Sequence, residues 1–231
     1  MWVGICETCE NGEVVDCEVC DIEENCHETI QIGEQVWMTE NLNVTHYNNG
    51  EEIPNITNNG DWVGLTTGAY CDYDNNPTYS ETYGRLYNWY TVDDDRGICP
   101  EGWHVPSDEE IKELEMFLGM SEEEANNEGW RGTDEGSQLA GNSELWSSVY
   151  STNDFVNNPE FGTSGFNSLP AGYRVSSNGY YDSMGNFGYF WSSSGSSSKG
   201  AWYRGLNCNY SYVYRLNYDK HYGFSVRCLG D

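Results

Sequence analysis

The sequence predicts an α+β fold, with helices in its first half and a lobe of strands and loops after Gly129. Two segments of the first half carry helix start signals, whereas Gly, Ser and Asn later separate short aromatic runs typical of strands and turns. Its 231 residues can bury a core, and aromatic residues make up 15% of them. Because disordered chains are poor in aromatic residues, the composition favours a loop-rich globular protein.

Residues 1–29 read as an acidic, cysteine-rich leader, and residues 30–231 as the globular domain. Two Cys-x-x-Cys pairs separated by seven residues are typical of zinc sites, since this spacing brings four thiolates together. The ligands would be Cys6, Cys9, Cys17 and Cys20. Disulfides of an exported stalk are the alternative, because an oxidising compartment pairs such thiols.

The domain is predicted to begin with strands in segment 30–44, where Gly33 interrupts the apolar residues Ile30, Ile32, Val36, Trp37 and Leu42. The segment YGRLYNWYTV is a helix candidate because Leu86, Trp89 and Tyr90 would share one face.

Two capping boxes mark the main helices. Ser107 and Glu110 satisfy two backbone amides at the start of the first helix, which Gly119 ends. Ser121 and Glu124 repeat the pattern at the start of a helix of one or two turns.

The formal net charge is −28, which disfavours nucleic acid as a partner because the phosphate backbone selects basic surfaces. No apolar run approaches the roughly 18 residues of a membrane helix, so no membrane insertion is expected. The first ten residues do not resemble a signal peptide. Export to a cell surface, a virion or the extracellular space would therefore use another route.

The segments GRLYNWYTV and CPEGWHVPSDEEI, with GYFWSSS, AWYRGL and GFSVRC near the end, resemble the Fibrobacter succinogenes major paralogous domain family. The resemblance covers about residues 30–229 and implies a C-type-lectin-like fold. The family is related to the variable proteins of diversity-generating retroelements and, more distantly, to formylglycine-generating enzymes.

Carried over to this sequence, the resemblance implies a disulfide between Cys99 and Cys228, with two free buried thiols as the alternative. A bridge closing so long a loop would restrict the unfolded chain, stabilising the fold by about 4 kcal/mol. His104 is expected to be structural, because no nucleophile or second base accompanies it in its motif. Three framework tryptophans are expected to fill the core: Trp103, Trp191 and Trp202.

The tail from residue 205 to residue 219 alternates Tyr with Asn and Ser, a composition typical of binding loops. In a strand, the two alternating sets would occupy opposite sides. A core side containing Asn, Ser and Arg is implausible, so we expect much of the tail to be exposed loop or sheet edge. Residues 191–228 hold five basic residues and one acidic residue. Arg204 or Arg215 is expected to attract acidic groups of a ligand.

The retroelement resemblance also implies that adenines of Asn codons are randomised. Every residue from 205 to 219 is reachable from such a codon, whereas Lys220 is not and is expected to be framework. The predicted variable region is about residues 190–222. Its ligand-binding positions are Gly195, Ser197, Gly205, Asn207, Cys208, Asn209, Tyr210, Tyr212, Tyr214, Leu216, Tyr218, Asp219 and His221. A Tyr/Asn-rich lobe without a retroelement is the alternative.

These observations predict a ligand-binding protein rather than an enzyme, with a protein or glycan on another cell or host surface as its partner. One alternative is a non-diversified adhesin or structural surface protein. Another is an oxidase related to formylglycine-generating enzymes, in which Cys208 and Cys228 would form the copper-binding pair. The run Asp93–Asp95 offers oxygen ligands for calcium, but the preferred interpretation is a solvated acidic turn.

Overall fold

The computed structural model describes residues 18–147 and 155–231. These residues form a mixed α+β fold with few helices and curled antiparallel sheets. The strands are β1 (Glu18–Cys20), β2 (Cys26–Ile32), β3 (Gln35–Met38), β4 (Tyr70–Cys71), β5 (Leu86–Tyr87), β6 (Trp103–His104), β7 (Gly129–Arg131), β8 (Tyr173–Arg174), β9 (Tyr181–Asp182), β10 (Phe187–Gly195), β11 (Gly200–Asn207), β12 (Tyr210–Asp219) and β13 (Leu229–Gly230). The α-helices are α1 (Asn59–Trp62), α2 (Pro77–Tyr83), α3 (Trp89–Val92), α4 (Asp108–Phe117), α5 (Glu122–Asn126) and α6 (Glu135–Leu139).

The first sheet joins the start of the domain to its end, in the order β1-β2-β3-β13-β6. The β2–β3 hairpin confirms the strands predicted on both sides of Gly33, which adopts a positive φ of 64° at the turn. Leu42 lies after the end of β3 and is not in a strand. The predicted domain boundary after residue 29 falls inside β2. Beside this sheet, Cys99 forms the disulfide with Cys228 that the family resemblance implied.

The second sheet carries the tail, in the order β10-β11-β12-β7. All three pairings are antiparallel, and β10, β11 and β12 contain nine, eight and ten residues. These strands are longer than the short runs predicted after Gly129, and helix α6 also interrupts that strand-rich half. The tail is therefore regular sheet rather than exposed loop.

Helices α4 and α5 begin at the predicted capping boxes, and both reciprocal hydrogen-bond pairs are present. Helix α4 ends at Phe117, just before Leu118 and Gly119. Its apolar residues Ile111 and Leu114 pack in one core cluster with β10, β11 and β12. This contact places one face of the second sheet against α4.

The third helix prediction was wrong for its first half. Tyr87 lies in strand β5 opposite Tyr70 of β4, and its backbone exchanges two hydrogen bonds with Phe224. After Tyr83, which ends α2, the helical part of this segment is α3. Helix α3 begins after Asn88, whose side chain caps it by accepting a hydrogen bond from the Thr91 amide. Pairing with distant strands thus overrides the helical spacing of this segment.

Candidate binding surface

Strand β12 has one face turned toward α4 and one turned away from it. Ser211, Val213 and Arg215 are buried, whereas Tyr210 and Tyr212 are 46% and 42% exposed. The outward series consists of Tyr210, Tyr212, Tyr214, Leu216 and Tyr218. Alternation of side chains along a strand produces this separation. All predicted binding positions on β12 are at least partly exposed, whereas Ser211, Val213 and Arg215 belong to the core.

The buried face contains an ion network between the sheet and α4. Arg204 contacts Asp108 and Glu115 at 2.7 and 2.8 Å. Arg215 contacts Asp108 at 2.6 Å, and Arg131 contacts Glu115 at 2.8 Å. Burial raises the pKa of Asp108, but the hydrogen bonds and charges of Arg215 and Arg204 outweigh it and lower the pKa to about 2.

This network corrects two expectations. A core face containing arginine was judged implausible, yet carboxylates of α4 pair with Arg204 and Arg215 inside the protein. Neither guanidinium is available to attract a ligand, since each residue is at least nine-tenths buried. Arg227 is buried as well, so three of the five basic residues of segment 191–228 lie inside. The tail therefore presents no separate basic surface.

The outward face carries a row of aromatic rings across the four strands. Tyr189 pairs with Gly205, Gly205 with Tyr214, and Tyr214 with Trp130 of β7. The Trp130 ring lies 4.8 Å from Tyr214 and 5.2 Å from Tyr210 between centroids, and Tyr210 lies 6.3 Å from Tyr212. We call Trp130, Tyr210, Tyr212 and Tyr214 the aromatic patch.

Trp130 was absent from the predicted site, although it is 41% exposed at the centre of the aromatic patch. The sequence contains no signal for it, because β7 is three residues long and its partner strand is about 80 residues away. Only the pairing of β7 with β12 brings Trp130 to the tyrosines.

Gly205 occupies a predicted variable position but has no room for a side chain. A Cβ atom built there would lie 2.6 Å from the Tyr189 ring and 3.4 Å from Tyr214. Because Gly205 has no Cβ, the Tyr189 ring can lie against the backbone of β11 at this position. Gly195 is also predicted to vary, and it is exposed. A Cβ atom built there would have the Trp89 ring as its nearest neighbour, at 3.5 Å.

The turn between β11 and β12 corrects two further positions. Asn207 is buried, and its side-chain oxygen accepts a hydrogen bond from the Asn209 amide at 2.8 Å. Cys208 is buried in the core cluster that contains Leu206 and Val213. Asn207 and Cys208 are therefore structural, while Asn209 remains partly exposed.

The remaining predicted positions lie at the other end of β12. Tyr218 stacks on Tyr203 and Tyr222 at 5.2 and 4.6 Å, and His221 contacts the Asp219 carboxylate at 2.5 Å. Ser197 is exposed in the β10–β11 loop, where its hydroxyl accepts hydrogen bonds from two backbone amides. Eight residues separate Tyr210 from Tyr218, which corresponds to about 26 Å along a strand. The predicted positions therefore form two groups.

A family model for the Fibrobacter succinogenes major domain matches residues 30–229. The chain belongs to this family. The match contains α4, α5 and the entire second sheet, and therefore every residue of the aromatic patch. No curated protein and no solved structure is similar enough to match the chain.

Outside the Fibrobacter succinogenes major domain, the zinc hypothesis rests on four cysteines. Cys20 forms a disulfide with Cys26, which uses the thiolate that the hypothesis assigned to zinc. Cys6, Cys9 and Cys17 lie outside the described residues. Among residues 18–147 and 155–231, no three His, Cys, Asp or Glu side chains are grouped to hold a metal ion.

Within the Fibrobacter succinogenes major domain, the acidic run proposed for calcium is already engaged by a basic side chain. Arg96 donates two hydrogen bonds of 2.7 Å to the Asp94 carboxylate, and these bonds lower the pKa of Asp94. Arg96 also contacts Glu51 at 2.6 Å and lies over the Tyr47 ring. The run therefore contributes to a surface ion-pair cluster.

Other framework predictions have mixed outcomes. His104 lies between Asp231 and Glu110 at 2.6 and 2.9 Å, which fits the expected structural role. Trp191 is buried in the core, whereas Trp103 and Trp202 are only partly buried. None of the helices in the described residues is long and apolar enough to cross a bilayer.

Proposed function

We propose that this chain is a ligand-binding protein that recognises its partner through the aromatic patch. The observation that carries the proposal is the exposure of Trp130, Tyr210 and Tyr212 on a rigid sheet whose other face is held by buried ion pairs. Large aromatic side chains on a fixed backbone provide contact area at low entropic cost. Monomeric proteins rarely leave such rings grouped on their surface without a binding role.

We further propose a C-type-lectin-like scaffold for the domain. The two capped helices, the bridge between Cys99 and Cys228 and the long final hairpin are compatible with that fold. The two disulfides suit an oxidising location, such as a cell surface, a virion or the extracellular space.

Diversification by a retroelement is the second part of the proposal. The interchangeable positions of β12 are its outward series and Asp219, because Ser211, Val213 and Arg215 complete the core. Asn209, Gly195 and Ser197 stay in the set because they are at least partly exposed, as do Asp219 and His221. We remove Gly205, Asn207 and Cys208 from it.

The binding role is favoured over the oxidase alternative by the position of the cysteines. An oxidase of the formylglycine-generating type needs two cysteines free to bind copper together. Cys228 is bonded to Cys99, and Cys208 is buried beside Leu206 in a different core cluster.

Two display libraries test the proposal. One randomises the outward series of β12, and the other randomises Ser211, Val213 and Arg215. Both are selected for binding to a basic lysozyme, a near-neutral ubiquitin and an acidic albumin. We expect the outward library to remain folded and to yield target-specific binders, while most clones of the inward library unfold. Folded outward clones without any binders would contradict the proposed binding role.

The genomic locus tests diversification separately. We expect a reverse transcriptase gene and a near-copy of the codons for residues 190–225, differing at adenines. Differences should occur at the codons of Tyr210, Tyr212 and Tyr214 and be absent at those of Gly205 and Arg215. A locus without a template copy would leave a non-diversified adhesin as the better account of the same surface.

A further inference from the structure

The aromatic patch has no cation over its rings, whereas eight other aromatic rings in the described residues each have one. In the described residues, Arg215 lies over Trp202 at 4.0 Å, Lys220 over Trp89 at 3.9 Å and Arg174 over Trp62 at 4.4 Å. Eight such contacts occur there in total, and none of them involves the patch. The negative faces of these exposed rings are therefore open to a cation from outside.

The protein itself has no basic side chain to spare near the patch. Arg131 and Arg215 are its sheet neighbours, but they are buried and paired with Glu115 and Asp108. Six of the ten basic residues of the chain are buried, so the accessible surface is poor in positive charge. The six are Lys112, Arg131, Arg174, Arg204, Arg215 and Arg227.

The segment that leads into β7 and Trp130 is acidic. Helix α5 and its connection to β7 carry an acidic rim of four exposed residues, namely Glu122, Glu123, Glu124 and Glu128. Only Gly129 separates Glu128 from Trp130. Arg215 donates hydrogen bonds of 3.2 and 3.3 Å to the carbonyls of Asn126 and Asn127, which fixes the end of α5 on the α4 side of β12. From there the chain passes through Glu128 into β7.

We propose that the partner of the aromatic patch presents arginine and lysine side chains, as a basic segment of a protein does. This inference rests on the proposed binding function and names the chemistry of the ligand. The rings would hold the flat guanidinium or the ammonium group, and the acidic rim would attract and pair with neighbouring charges. Anionic partners are disfavoured by the rim, and a neutral glycan would make no use of it.

Fluorescence anisotropy with a labelled ten-residue peptide of alternating Arg and Gly tests the proposal. Its matched control carries neutral citrulline in place of arginine, which preserves size and planarity. We expect the full-length protein to bind the arginine peptide at least tenfold more tightly than the citrulline peptide, at ionic strength near 0.15 M. Equal binding of the two peptides would overturn the proposal.

Variants of unchanged net charge separate the patch from a general attraction to this acidic protein. The double substitution Trp130→Leu with Tyr212→Leu should weaken binding of the arginine peptide at least tenfold. Tyr79→Leu with Tyr180→Leu removes two exposed tyrosines elsewhere and should change it less than twofold. Urea unfolding of each variant verifies folding. If both pairs behave alike, the peptide binds without the patch and the proposal fails.

The contribution of the rim is measured in the same way. Replacing Glu122, Glu123 and Glu128 with Gln leaves the capping residue Glu124 intact. The same replacement at Glu18, Glu28 and Glu34, which are exposed on or beside the β1–β3 strands, removes an equal charge. We expect the first set to weaken binding at least threefold more than the second, and equal effects would contradict a local rim.

The outcome is distinguishable from failure of the proposed function. If the outward library yields binders to the neutral or acidic target and the protein does not prefer the arginine peptide, only the proposal of a cationic partner is refuted. If no library clone binds any target, the proposed binding role and the cationic partner are both refuted.

Discussion

The two faces of β12 contain side chains that alternate along one strand and yet are held in opposite ways. Toward α4, Arg215 is fixed by Asp108, and Val213 is wholly buried. Toward solvent, Tyr212 is 42% exposed, and its ring contacts that of Tyr210. Arg215 depends on a partner in the first half of the chain, whereas the rings of Tyr210 and Tyr212 contact each other and Trp130.

This difference shows how one strand can supply both the framework and the proposed binding surface. A buried charge is tolerated only with its own partner, so the inward face accepts few substitutions. Replacing an exposed ring changes the free energy of unfolding little, because water can occupy the position of the ring. The predictions below test that contrast, beginning with the largest expected effect.

Removing Arg204 should cause the largest loss of stability. Arg204→Ala leaves the buried carboxylate of Glu115 with one basic partner instead of two and weakens the pairing of Asp108. Breaking a buried pair costs about 3 to 5 kcal/mol, and we expect a loss of this size in the free energy of unfolding measured with urea. A loss below about 1 kcal/mol would mean that the network does not hold the inward face.

The pH dependence of stability should reveal Asp108. Its pKa is about 2 in the folded protein, below the ordinary aspartate value of 3.8, so the folded state binds this proton more weakly than the unfolded state. The resulting stability of about 2 kcal/mol is present above pH 4 and is lost as the pH falls toward 2.

Urea unfolding at pH 6, 4, 3 and 2 measures this loss. Other carboxylates titrate over the same range, so the informative quantity is the difference between the wild type and Asp108→Asn. We expect the variant to be less stable at pH 6 and the gap to narrow by about 2 kcal/mol at pH 2. A constant gap would contradict the assignment.

A methyl group at position 205 should lower the free energy of unfolding moderately. Gly205→Ala places its Cβ against the Tyr189 ring, which is partly exposed and can shift, so we expect a loss of about 1 to 2 kcal/mol. Gly195→Ala is the matched control, and its contacts of 3.5 Å or more predict a change within about 0.5 kcal/mol. Equal effects would restore Gly205 to the set of variable positions.

The smallest effect is expected on the outward face itself. Tyr212→Ser removes an exposed ring without leaving a buried group unpaired, so the free energy of unfolding should fall by less than about 1 kcal/mol. Val213→Ser at the next position is the control and should cost several times more, because Val213 is fully buried. Similar losses would remove the distinction between the two faces.

Sequence reasoning found the elements whose signals are local. The capping boxes at Ser107 and Ser121 and the turn at Gly33 follow from neighbouring residues, and the structure contains all three. Sequence reasoning assigned the tyrosines to the predicted binding region but could not orient them. The alternation of Tyr with Asn and Ser predicts two faces, but it does not indicate which face packs against α4.

The sequence by itself determined the family, the capped helices and the composition of the tail, because motifs and caps act over a few residues. Only the tertiary structure decided which side of that tail is accessible. The carboxylate that pairs with Arg215 lies 107 positions away along the chain, and the strand that brings Trp130 to the tyrosines is about 80 residues away. Those distant contacts bury one face of β12, and solvent therefore reaches the other.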